Sequence, residues 1–101
     1  MTFLSQKDLM KHFIHENLQE GNVGNGHVKN NQYIHFWTPI MERYGDKIIL
    51  NQTRYSLVTG RLQKQMKELI PADKIIVVSK VPENYKGSLA DFLPKDKMGV
   101  I

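Results

Sequence analysis

The stretch RYSLVTGRLQKQMKEL, Arg54 to Leu69, brings hydroxyls, a glycine and cations close together. Thr53, Tyr55, Ser56 and Thr59 supply the hydroxyls, Gly60 allows close backbone approach, and Arg61, Lys64 and Lys67 follow with no acid until Glu68. A helix N-terminus carries unpaired N–H groups and a partial positive charge, so it can hold a phosphate or carboxylate. Thr59, Gly60 and Arg61 at such a start would suit an anion, with Arg61 as a bidentate clamp. The Gly-x-x-x-x-Gly-Lys pattern of a phosphate loop is absent. The simpler reading is preferred: Ser56 or Thr59 caps the helix, as every helix requires, and Tyr55 is half-buried.

Charge is concentrated around the same stretch. From Arg43 to Lys67 there are six cations (Arg43, Lys47, Arg54, Arg61, Lys64, Lys67) against one acid, Asp46, in a chain whose net charge is only +4. Such a local excess is a footprint for nucleic acid or for an acidic protein surface. The equal alternative is a solvated basic face that keeps the protein soluble.

Other constellations are weaker. His12 and His15 are three apart beside Glu16, a spacing that can place two metal ligands on one helix face, but no third ligand is evident. His27 and His35 fall on opposite faces of a hairpin turning at Asn30-Asn31, so they cannot share a metal. The acids are scattered singly and no serine sits in a nucleophile elbow. No catalytic residue, metal ligand or cofactor site is therefore assigned, and an enzyme is the least supported class. Tyr33 and Trp37 fall on the strand face opposite Ile34 and Phe36. With Phe36 assigned to the core, Tyr33 and Trp37 are the candidates for an exposed partner surface, since amphipathic aromatics anchor interfaces.

The elements that must position these groups are read from periodicity. Residues 5–20 read as a helix: Ser5 caps it with Asp8 at capping-box spacing, and Leu4 and Leu9 fall at staple positions. Leu9, Met10, Phe13, Ile14 and Leu18 form its apolar stripe, and Gly21 is placed to end it. GNVGNG reads as a flexible loop. HVKNNQYIHFW reads as a hairpin, and ERYGDKIILN as a second strand pair turning at Gly45-Asp46, with Pro39 at a strand start. Val58, Leu62, Met66 and Leu69 predict a helix over about 59–69, stopped before Pro71. KIIVVSK is a short buried strand, and SLADFL predicts a short helix over 88–93. The tail after Pro94 reads as loose or as an edge strand. The expected fold is a single α+β domain over 1–101: an antiparallel sheet of about four to five strands, an N-terminal helix, a middle helix and a short C-terminal helix.

The 101 residues suffice for one core, and 41% apolar with 24% charged residues is ordinary for a globular chain. There is no cysteine, no apolar run of membrane-spanning length and no signal-peptide pattern, so a cytoplasmic setting is expected.

The segment TPIMERYGDKIILNQTRYSLVTGR resembles one found in small, mostly uncharacterised proteins of phages, plasmids and integrated elements of Gram-positive bacteria. In those, a Thr-Pro-Ile/Val strand and a second strand lead to an aromatic-Ser-x-Thr-Thr-x-Arg-His signature opening a helix. Thr38, Pro39 and Ile40 match the first part, and Tyr55, Ser56, Thr59 and Arg61 most of the second. Val58 replaces the first threonine of the pair and Leu62 stands in place of the histidine. The resemblance covers about residues 38–69. It carries no activity with it and implies a mobile-element origin. Small non-enzymatic proteins of that origin commonly bind: some block host defence machinery, as anti-CRISPR proteins do, and others bind DNA or regulate transcription. The expected partner is thus a host protein, including a nuclease complex, or nucleic acid, with no membrane partner. The expected contacts are Arg54, Thr59, Gly60, Arg61, Lys64, Lys67, Tyr33 and Trp37.

Overall fold

A computed structural model describes residues 5–16 and 18–93. The Leu4 staple position and the tail from Pro94 onward lie outside the described residues. Helix α1 spans Gln6–His15, and strands β1 to β5 come next as Glu20–Val23, Gly26–Lys29, Gln32–His35, Thr38–Tyr44 and Lys47–Asn51. Helix α2 spans Leu57–Leu69, β6 spans Ile75–Val78, and a 3-10 turn covers Leu89–Phe92. The strands form one sheet in sequence order. β1 to β5 are an antiparallel meander, while β6 runs parallel to β5 after the α2 crossover. The α+β domain is as expected, with six strands in place of four to five.

Local chemistry sets the boundaries. Ser5 caps α1, its hydroxyl accepting from the Asp8 N–H at 3.2 Å. Ser56 does the same for α2, accepting from Thr59 N–H at 3.2 Å. Ser88 starts the C-terminal turn, accepting from Ala90 N–H, so the expected short helix is a 3-10 turn. Pro71 follows the α2 cap Ile70, which is extended with ψ 127°. The hairpin register is the one expected from Asn30-Asn31, with His27 opposite Ile34 and His35 opposite Gly26.

The expected helix over 5–20 is too long, and GNVGNG is not a loop. The chain leaves the helix at Glu16, and Glu20–Val23 pairs with Gly26–Lys29. Two tertiary features explain this. Arg43 donates to the carbonyls of both Phe13 and Leu18, pinning the chain where it leaves the helix. Gly24, at φ +57°, closes a two-residue turn into β2. The residues that tolerate positive φ here build a tight hairpin, and edge pairing through the backbone needs no apolar side chains.

One sheet face packs under the helices. Leu9, Met10 and Phe13 of α1 and Met66 of α2 join Val28, Tyr33, Met41, Ile48 and Leu50 in the main core. A bulge beside Tyr33 and Ile34 leaves Ile40 unopposed, so Thr38 to Met41 are all buried. On α2, Val58 points outward and buried Gln63 takes an inward position, which rotates the expected stripe. Gln63 donates to the carbonyls of Asn51 and Thr53, groups that an apolar neighbour would leave unsatisfied. The C-terminal segment covers a second cluster around Ile49, Val78, Val81 and Leu89. There the Glu42 carboxylate accepts from Gln32, Ser88 and the Leu89 N–H.

Candidate binding site at one end of the sheet

Strands β3 and β4 are joined by two residues, Phe36 and Trp37, both in the left-handed region at φ +49° and +68°. Bulky side chains are rare in this conformation. The turn is tied to its neighbour through Phe36 N–H donating to the Asn25 carbonyl at 3.1 Å. It presents Trp37, 68% exposed, and Phe36, 51% exposed. Trp37 packs edge-on near His27, and Phe36 edge-on against His35 with centroids 4.6 Å apart. Phe36 is therefore a surface residue and not the core residue expected from strand alternation, because the strand ends at His35 and the turn redirects the side chains beyond it.

Tyr33 is the converse correction. It is fully buried under α1, packed edge-on to Phe13, with its hydroxyl 3.4 Å from Gln6 Oε1. Burial raises its hydroxyl pKa well above the ordinary phenol value. Tyr33 cannot form part of an exposed contact surface. Gly26 makes room for it: a Cβ there would stand 2.6 Å from the Tyr33 hydroxyl oxygen.

The strand ends Gly26, His35, Thr38 and Asn51 lie at the same end of the sheet, and the Gln52–Ser56 segment leads from it into α2. This segment is held on both sides. Tyr55 donates to the Val81 carbonyl at 2.6 Å and accepts from Asn51 at 2.9 Å, while Asn51 also accepts from Thr53 N–H. Between this segment and the outer side of α2 runs an open groove of about 650 Å3. Arg54, Arg61, Lys64 and Lys67 line it, with Gly60, Tyr55 and Leu57 between them and no carboxylate. Among the described residues none of these four cations forms an ion pair. Their mutual repulsion is left for solvent or an anionic partner to relieve.

Five of the residues expected at the site thus share one groove: Arg54, Gly60, Arg61, Lys64 and Lys67. Thr59 is buried and faces a separate small cavity, and Trp37 stands exposed on the turn. The anion cradle of Thr59, Gly60 and Arg61 does not exist as a helix start, because α2 begins two residues earlier than expected, at Leu57. Thr59 N–H is used by the Ser56 cap and Gly60 N–H by the Ser56 carbonyl at 2.8 Å. Arg43 also leaves the basic face. It lies over the Phe13 ring at 4.2 Å, and burial lowers its guanidinium pKa from the ordinary value. Lys47 donates to the Asp73 carbonyl.

His35 is a feature of this site that sequence reasoning missed. It is 1% exposed, and neither ring nitrogen has a hydrogen-bond partner. Burial lowers its pKa. His12 behaves differently, lying between Asp8 and Glu16 on α1. Among the described residues no three metal-ligating side chains cluster, and no helix is long and apolar enough to cross a membrane. Comparison with protein-family models, with curated proteins and with solved structures gave no match for this chain.

Proposed function

We propose that the protein acts by binding and carries out no chemistry of its own. It is read as a mobile-element product that inhibits or modulates a host nucleic-acid-handling protein in the bacterial cytoplasm, in the manner of an anti-CRISPR protein. The observation that carries this reading is the groove of four cations with no lining carboxylate, opening at the same end of the sheet as the exposed Phe36–Trp37 turn. Cations in a groove supply steering and register, and an exposed tryptophan supplies a desolvated anchor. The resemblance of residues 38–69 to phage and plasmid proteins supports the class of partner. A basic inhibitor does not mimic DNA, so its natural counterpart is an acidic patch on the target.

Direct DNA or RNA binding is the second reading. The groove favours it because phosphate backbones ask for cations and little else. The two separate in one experiment: capture from a bacterial lysate with and without nuclease, using wild type, Trp37→Ala and the Lys64→Glu/Lys67→Glu pair. The leading reading expects one host protein retained after nuclease and lost in both variants. Recovery that vanishes with nuclease, falls steeply with salt and ignores Trp37→Ala would establish the second reading and sink the first.

A further inference from the structure

Beside the groove lies a smaller cavity of about 130 Å3, bordered by His35, Phe36, Thr38, Tyr55, Ser56, Thr59 and Glu83. A cavity of about 150 Å3 admits benzene, and pockets for whole drug-sized ligands run from about 300 Å3. A single phosphoryl group fits here and a nucleotide does not.

Most of the lining polar groups are already engaged. Thr38 Oγ1 accepts from Asn84 N–H, and the Tyr55 hydroxyl is held between Asn51 and Val81. Ser56 Oγ donates to Thr59 Oγ1 and accepts from Thr59 N–H. The groups left over are the buried His35 ring and the Thr59 hydroxyl proton, next to the first turn of α2. A neutral imidazole carries one donor and one acceptor, and a buried polar atom left without a partner is destabilising. Tyr55 and Ser56 line both the cavity and the basic groove, so an anion drawn to Arg54 and Arg61 arrives at its mouth. Glu83 is the one carboxylate on the lining, and it is exposed.

We infer that this cavity is a binding site for a small oxyanion of the phosphoryl class, held by the His35 ring and the Thr59 hydroxyl. The site stands independently of the protein-binding reading above. Its donors are a buried ring and a hydroxyl, and Glu83 tunes it by opposing the charge of the ligand.

The test is a titration of the full chain with inorganic phosphate at fixed pH and ionic strength, monitored by NMR. The ring resonances of His35 and the Thr59 amide should move together on one saturable curve, with acetate binding more weakly. Glu83→Gln, a surface change that leaves the core intact, should tighten phosphate binding about two- to fivefold by removing an exposed like charge. Thr59→Val should weaken it. A 5′-phosphorylated oligonucleotide compared with its unphosphorylated form distinguishes the end of a strand from free phosphate as the source; binding by either supports the site. No saturable response at His35 in both wild type and Glu83→Gln overturns the proposal. So does a response confined to Arg54, Arg61, Lys64 and Lys67, which would place the anion in the open groove only.

Discussion

The two ends of the sheet solve the same problem with opposite chemistry. At one end β2 and β3 turn through Asn30 and Asn31, at φ +52° and +68°. At the other, β3 and β4 turn through Phe36 and Trp37 at nearly the same angles. Asparagine tolerates the left-handed region because its short side chain bonds locally, whereas bulky residues are strained there. Arginine use differs in the same way. Near the asparagine turn, Arg43 donates through Nη2 to the Phe13 and Leu18 carbonyls and lies over the Phe13 ring. At the aromatic end, Arg54 and Arg61 line an open groove. One end is built for stability; the other keeps strain, exposed aromatics, uncompensated charge and an unpartnered histidine. Such features gather where a protein meets something else.

Arg43→Ala is expected to have the largest effect, costing about 3 kcal/mol in urea unfolding through two charge-assisted hydrogen bonds and the ring contact. Arg54→Ala should stay within about 0.5 kcal/mol, as for a surface change. Equal losses from the two would erase the contrast between the ends. Replacing Phe36-Trp37 by Asn-Gly should raise stability by about 1 kcal/mol, since relieved strain exceeds the lost edge-on ring contacts, while partner binding is lost. A stability loss from that swap would mean that the turn is held by packing and is not strained for use.

The smallest effect concerns acid. His35 has its folded pKa below the unfolded value of about 6.5 because burial disfavours the cation. The unfolded chain therefore binds more protons as pH drops below about 6.5, and stability falls with falling pH down to the lowered folded pKa. His35→Gln should flatten this slope in pH-dependent melting.

Much of the frame was legible in the residues. Ser5, Ser56 and Ser88 announce helical starts because a hydroxyl at that position has a local job. Asn30-Asn31 fixes a register because few other pairs favour its backbone. The site was legible in part. The spacing of Arg61, Lys64 and Lys67 puts them on one side of a helix, and the structure adds Arg54 to the same groove. The features that could not be read depended on partners distant in sequence. The end of α1 is set with help from Arg43, thirty residues away from Phe13. Gln63 is buried because a loop needs its donor. Tyr33 and Phe36 exchanged expected environments because the inward face of β3 is the opposite of the one expected: Tyr33 and His35 are buried while Gln32 and Ile34 are half-buried, and beyond His35 a turn takes over. The unpartnered state of His35 has no sequence signal.

The parallel pairing of β5 with β6 bears on the order in which the molecule assembles. Each pairing within the five-strand meander joins neighbours in sequence and needs only a short turn to close. β6 must instead wait for the whole α2 crossover, and the Glu42 clasp on Ser88 closes a loop of 46 residues. Loop closure of that length is entropically costly before its contacts form. The expected sequence of events is a meander that collapses onto α1 early, with β6 and the C-terminal turn joining afterwards. The groove, which needs α2 docked beside the Gln52–Ser56 segment, then becomes competent to bind only in the later part of folding.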